Sequence, residues 1–193
     1  MKPLSSFCHR LGLAAAFTLT LSPALLAADP PPERGPFWSG TVMRTRETAA
    51  AMKGVAITLG AGKTNHVVYD LDTLRLSAAW SGDFLEFGNT LTKIEWPPPP
   101  AVKGSVVFET VPGPGWADQA GKLDDPRVRQ QGPLPKDWVH HSGLYVNGDQ
   151  VVLRYTVGST EVLETPGFEA PEGQPIFIRT LRFGAATDRK SVV

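Results

Sequence analysis

From Lys53 onward, apolar and polar positions alternate with the period of two that marks a strand with one buried face. Val55, Ile57 and Leu59 alternate with Ala56 and Thr58, and Gly60-Ala61-Gly62 ends the run. His66 to Asp70 predicts a second strand, turned by Leu71-Asp72-Thr73. Leu74, Leu76, Ala78 and Trp80 then alternate with Arg75, Ser77 and Ala79, which predicts one inward face. Ser81-Gly82-Asp83 turns into Phe84, Leu85 and Phe87. Strands separated by two or three turn residues form an antiparallel meander. Upstream, residues 38–46 predict a first strand with Trp38 and Val42 inward. Glu47 to Met52 is the best helical fragment of the mature chain, but it is too short to be stable alone and reads as one turn or a loop.

Trp96 to Pro100 carries four consecutive prolines, which remove backbone donors and predict an exposed spacer. Ser105 to Thr110 predicts another strand. Residues 111–142 form a long irregular loop containing Pro112, Pro114, Pro126, Pro133 and Pro135. Loops of that length are uncommon unless functional or packed on the sheet. Leu144 to Val146, a turn at Asn147-Gly148-Asp149, and Val151 to Val157 then predict a hairpin. Gly158-Ser159 turns into Thr160 to Thr165, and Ile176 to Phe183 is a last strand. About ten short strands without a convincing helix predict an all-β fold, an antiparallel β-sandwich of supersandwich-like type with one long irregular Pro/Gly-rich loop.

Composition changes this picture at the N-terminus. Lys2, His9 and Arg10 precede an uncharged apolar stretch from Leu11 to Leu26, and Ala27-Ala28 offers small residues for cleavage. That pattern predicts a signal peptide over residues 1–28 and an exported, periplasmic or extracellular product. Pro23 interrupts the apolar run, which argues against a membrane anchor. Residues 29–37 read as an extended polar lead-in, 38–184 as the β domain, and 185–193 as a tail that stops abruptly, as a truncated continuation would. Cys8 is the only cysteine and lies in the predicted signal. A mature chain starting at Asp29 therefore has no disulfide, no thiolate chemistry and no covalent c-type haem attachment. Of 19 Lys and Arg, Lys2 and Arg10 leave with the signal, so 17 basic residues face 19 acidic ones. That balance predicts neither a nucleic-acid partner nor, after signal cleavage, an anionic membrane surface.

Four segments together carry a family resemblance: KGVAITLG (53–60), VVYDLDTLRLSAAWSGDFLEF (67–87), PLPKDW (133–138) and the Pro112–Gly167 block that contains the last. Over residues 37–183 the chain resembles a domain of unknown function found near the N-terminus of large exported bacterial proteins. In that family the module is followed by a sugar-dehydrogenase-type β-propeller and often by a c-type cytochrome domain. The resemblance implies an exported, non-catalytic or uncharacterised module of a redox-associated protein, with the propeller and cytochrome domains as partners beyond this chain. It supplies no catalytic residues. Neither a propeller nor a Cys-x-x-Cys-His motif is present in these 193 residues.

Candidate chemistry is sparse. Asp70 and Asp72 lie two residues apart, as a calcium-binding or acid/base pair would. The competing reading is a turn in which Asp72 bonds the backbone and one acid pairs with Arg75. Asp124-Asp125-Pro126-Arg127, with Asp118 and Asp137 nearby, is the densest acidic region. Calcium at Asp124 and Asp125 is one reading; salt bridges from Arg127 or Arg129 that order the loop are the other. His140-His141 are adjacent and point to opposite sides of an extended chain, which disfavours a shared metal. Trp116 and Trp138, with Asp124, Asp125, Arg127 and Asp137, could form a sugar-binding platform; otherwise each tryptophan anchors its loop. Trp80 reads as core. No Gly-x-Ser-x-Gly or phosphate loop occurs. The leading expectation is a structural or ligand-binding module without catalysis of its own. A free-standing carbohydrate-binding module is the alternative, followed by a glycoside hydrolase using Asp70 and Asp72 or Asp124 and Asp125.

Overall fold

A computed structural model describes residues 35–88 and 98–185. The predicted signal, most of the lead-in, Trp96-Pro97 and all of the tail after Ala185 lie outside the described residues. Within them, nine strands form two sheets that pack on each other. The first contains β1 (Phe37–Met43), β2 (Ala49–Leu59), β3 (Asn65–Asp70), β4 (Arg75–Glu86) and β5 (Ala101–Glu109) in meander order. The second contains β6 (Val139–Asn147), β7 (Gln150–Val157), β8 (Thr160–Glu169) and β9 (Ile176–Phe183). The expected all-β, two-sheet antiparallel architecture is the observed one. No helix among the described residues is long and apolar enough to cross a membrane.

The first sheet curls until it closes into a barrel. Successive meander strands reverse direction, so with five strands the closing pair must run parallel. It does so through Met43 and Ala101, with the Met43 amide donating to the Pro100 carbonyl at 2.8 Å. Pro100 is buried at this seam, while Pro98 and Pro99 are exposed. The proline stretch is therefore not wholly the exposed spacer expected of it: its last residue closes the barrel. A five-stranded barrel has a narrow interior. Ala50, Ala51, Ala56 and Ala78 leave room there for Val42, Val68, Leu85 and the fully buried Trp80. The Trp80 Nε1–H donates to the carbonyls of Asp83 and Phe84, both at 2.9 Å.

The outer side of β2, β3 and β4 packs against the second sheet. Val55, Ile57, Leu59, Val67, Leu76 and Ala79 meet Leu153, Tyr155, Val157 and Val162. These central barrel strands are thus buried on both faces, and simple alternation misreads them. Leu74, Leu76, Ala78 and Trp80 do not share one face. A bulge puts Val68 opposite Ala78 but Tyr69 opposite Leu76, leaving Ser77 as the extra residue. Leu76 consequently faces the second sheet, and Ala78 and Trp80 the barrel interior. The single turn or loop expected at Glu47–Met52 gives way to strand from Ala49 onward, because Ala51 pairs with Val42 inside the barrel wall. In the β6–β7 hairpin, Asn147 pairs with Gln150, so Gly148-Asp149 are the central residues. Gly148 takes the positive φ of 57° that a two-residue hairpin needs at its first central position.

One polar group sits in the interface between barrel and sheet. Glu164 on β8 is 1% exposed. Tyr69 of the barrel donates to its Oε1 at 2.7 Å, and Tyr155 of β7 donates to Oε2 at 2.5 Å. Arg179 of β9 grips the same carboxylate side-on, Nε to Oε1 at 2.6 Å and Nη2 to Oε2 at 3.0 Å. Both phenols are held well above their ordinary pKa, first by burial and then by the Glu164 charge. They stay protonated and remain donors. Burial opposes the charge on Arg179, but its hydrogen bonds to Glu164 outweigh that and raise its pKa. Removing one member of a buried, hydrogen-bonded ion pair costs about 3–5 kcal/mol, because the partner is left uncompensated. Glu164→Ala is expected to destabilise the domain on that scale in urea unfolding. A change below about 1 kcal/mol would mean the site repacks without its carboxylate.

Candidate functional site

The long loop between β5 and β6 is built onto the scaffold from the β3–β4 turn outward. That turn, Leu71 to Leu74, is covered by the loop, which bonds directly to its backbone. The Gly115 amide donates to the Thr73 carbonyl at 2.9 Å, and the Leu134 amide to that of Asp72 at 2.8 Å. Leu74 takes a φ of 50°, a left-handed conformation unfavourable for a leucine, and is held there while 3% exposed. Gly115 is required at the crossing. A Cβ at that position would meet the Leu74 carbonyl oxygen at 2.1 Å.

Two side-chain anchors continue the attachment. Trp116 is 5% exposed, its ring 5.9 Å from that of Tyr155 and edge-on to Phe183 at 6.3 Å. Leu134 is 1% exposed and joins the same core. Between them the loop folds on its own polar groups. Asp118 Oδ1 accepts from the Ala120 and Lys122 amides, both at 2.8 Å. Asp125 accepts from Arg127 three times: from the backbone N–H at 3.0 Å, Nε at 2.9 Å and Nη2 at 2.8 Å. Arg127 Nη1 reaches on to the Gly132 carbonyl at 2.6 Å. The Arg127 hydrogen bonds hold the Asp125 carboxyl below the usual aspartate range.

Trp138 closes the loop, its Nε1–H donating to the Trp116 carbonyl at 3.1 Å. Beside it lies an open cleft of about 370 Å³, lined by Ala117, Asp118, Gln119, Pro126, Pro135, Asp137 and Trp138. Of the residues proposed from sequence, Trp138 (half-buried) and Asp137 (exposed) line this cleft. Trp116 is an anchor and presents no open face. Asp124 is exposed, and Asp125 is committed to Arg127, so these two acids do not converge. Among the described residues, no three His, Cys, Asp or Glu side chains gather as a metal-ligand set.

The other candidates are also placed. Asp70 is buried at the end of β3, and its Oδ1 accepts the Asp72 amide at 3.0 Å. The turn-forming acid is thus Asp70, not Asp72. Burial raises the Asp70 pKa against the pull of Arg75 and Arg127. His66 is 1% exposed in the barrel, against the rings of Trp80 and Phe84. Its Nε2 lies 3.1 Å from the Gly82 carbonyl, which can only accept, so that nitrogen carries a proton. His140 is exposed and His141 half-buried on adjacent positions of β6. Burial and the nearby Lys53 charge lower the His141 pKa.

The family model described as a domain of unknown function, DUF6797, matches residues 67–164, about half of the chain. The chain belongs to the DUF6797 family. Comparison with curated proteins and with solved structures finds no match. The matched span of the DUF6797 domain runs from β3 to β8. It includes the whole long loop, Tyr69, Arg75, Tyr155 and Glu164, while Arg179 falls outside it. Sequence reasoning passed over Tyr69, Tyr155, Glu164 and Arg179. The available signal was phase: in Thr160, Val162 and Glu164, a carboxylate occupies the position of an inward apolar residue.

Two outcomes follow for the DUF6797 loop. Gly115→Ala is expected to cost at least about 1–3 kcal/mol through backbone overlap, with loss of the loop amides' protection from hydrogen exchange. Unchanged protection would remove the crossing as the loop's anchor. A depressed carboxyl contributes stability above its unfolded pKa and loses it as pH falls through the folded one. The backbone amide and Nε–H resonances of Arg127 are therefore expected to hold through the ordinary aspartate range and shift together below it. In Asp125→Asn the shifted spectrum should be present at neutral pH. Identical spectra for variant and parent would contradict the role of the Asp125–Arg127 pair.

Proposed function

We propose that this DUF6797 domain is a non-catalytic structural or ligand-binding module of an exported, multidomain protein of redox type. The observation that carries the reading is how its enclosed acids are used. Glu164, Asp70 and Asp125 are each spent on internal bonds that join sheet to barrel, order a turn, or fold the loop. A general acid or nucleophile has to present its carboxyl to a substrate. The redox context rests on the family resemblance and the signal-like N-terminus. Expression of the chain with its first 28 residues in a bacterium is expected to give a periplasmic product beginning near Asp29, with β-type circular dichroism and no visible chromophore. A purified product with bound haem or quinone and redox turnover would sink the reading.

The open cleft favours a second reading, that of a carbohydrate-binding module. Trp138 stands at the cleft wall with Asp118, Gln119 and Asp137 around it. An indole face packs on the C–H face of a sugar while carboxylates and amides take hydroxyls. Affinity electrophoresis in polysaccharide gels tests this directly. Retardation that disappears in Trp138→Ala supports sugar binding, whereas equal mobility of parent and variant in every gel removes it.

A further inference from the structure

The two sheets differ in what they leave open. The first closes on itself through Met43 and Ala101. The second is an open sheet with β6 and β9 at its edges. An edge strand carries a row of unpaired backbone donors and acceptors, which charge, proline or a bulge normally blunts. β6 has such a bulge: its register on β7 shifts between His141 and Gly143, leaving Ser142 as the extra residue. β9 has none. Its sequence, IFIRTLRF, contains no Pro, Gly or Lys, and its register on β8 runs unbroken from Ile176 to Phe183.

The ladder fixes which backbone groups of β9 are spare. Just past the strand, the Gly184 amide donates to the Glu161 carbonyl at 2.8 Å, so these two form a hydrogen-bonded pair. Antiparallel ladders alternate such pairs with non-bonded ones. Arg182, Thr180, Ile178 and Ile176 therefore turn their backbone groups toward β8, while Phe177, Arg179, Leu181 and Phe183 turn theirs away. Pro166, which has no N–H, stands opposite Arg179, at one of the non-bonded positions. Phe177 and Leu181 pack on the core between barrel and sheet, yet Arg179 and Phe183, on the same side of the strand, are exposed. That exposure puts the open flank of β9 at the surface. Arg179 is the inward charge that would discourage pairing there, and Glu164 already takes it.

We propose that β9 pairs with β9 of a second copy of this chain, antiparallel across a two-fold axis, joining the two four-stranded sheets into one. The strand itself selects the register. Opposed side chains must come from the same face of the sheet, and the bonded pairs must be drawn from the spare positions. An axis at Arg179 would set two guanidiniums opposite each other and leave Phe183 unmatched. An axis at Thr180 sets Phe177 against Phe183 of the second copy and Arg179 against Leu181 of the second copy, so every spare position is used. On the outer face, Thr180 meets Thr180 of the second copy. Aromatic pairs and Thr–Thr pairs are favourable across a ladder. This edge is separate from the Trp138 cleft and does not rest on the module reading.

The test uses the whole chain in sedimentation equilibrium and in amide hydrogen exchange. The expected result is a mass that rises from one chain toward two with concentration. Over the same range the amides of Phe177, Arg179, Leu181 and Phe183 gain protection, while those of Ile178, Thr180 and Arg182 are protected throughout by β8. Thr180 is exposed, so Thr180→Lys spares the core and sets like charges opposite each other at the axis. It is expected to weaken the dimer about fivefold. An equimolar mixture of Thr180→Lys and Thr180→Glu is expected to associate more tightly than Thr180→Lys alone. A single-chain mass at every concentration would overturn the proposal. So would protection at the four spare amides that does not change on dilution, a dimer whose new protection lies on β6, or a Thr180→Lys chain that associates like the parent.

Discussion

One buried carboxylate sets how the barrel and the four-stranded sheet meet. Apolar contacts between two sheets are numerous but non-directional, so they favour contact without fixing its geometry. Glu164 adds direction. It stands on β8, accepts from Tyr69 on the barrel side, and takes Tyr155 and Arg179 from the strands on either side of its own. A shift of the barrel along the sheet would strip the Tyr69 bond from a carboxylate that is 1% exposed. The penalty for leaving such a group short of partners exceeds the value of the bond itself. This makes the interface specific as well as sticky.

The long loop depends on that interface. Trp116 packs on Tyr155, a Glu164 ligand, while Gly115 and Leu134 bind the backbone of the turn that follows Tyr69 and Asp70. The loop thus caps both units at the point where they join. Its polar groups are largely turned inward on itself through Asp118, Asp125 and Arg127. Glu164, Asp70, Asp118 and Asp125 thus act as internal fasteners. An open polar cleft remains beside Trp138.

The strands were legible in the sequence wherever one face is buried and one is wet. Val151, Leu153, Tyr155 and Val157 alternate cleanly and form the inner face of β7. Legibility failed where both faces are buried. In β4 the sequence reads as one stripe, but the bulge at Ser77 moves Leu76 and Ala78 to opposite sides. Barrel closure left no periodic trace either. It follows from strand count and from alanines at Ala50, Ala51 and Ala56, whose sequence also reads as a helix former around Glu47–Met52. Of the proposed sugar site, Trp138 and Asp137 lie on a cleft, while Trp116 serves the core, a difference that composition cannot show. The Glu164 cluster was hidden because its partners are distant in sequence, with Tyr69 on another sheet.

The most direct test is a double-mutant cycle across the interface, with Tyr69→Phe in the barrel and Tyr155→Phe in the sheet, measured by urea unfolding. The two tyrosines touch the same carboxylate from different sheets. A shared Glu164 predicts non-additivity of at least about 0.5 kcal/mol. Strict additivity, with each variant behaving as though the other hydroxyl were absent from its surroundings, would contradict the central claim that one carboxylate locks barrel to sheet.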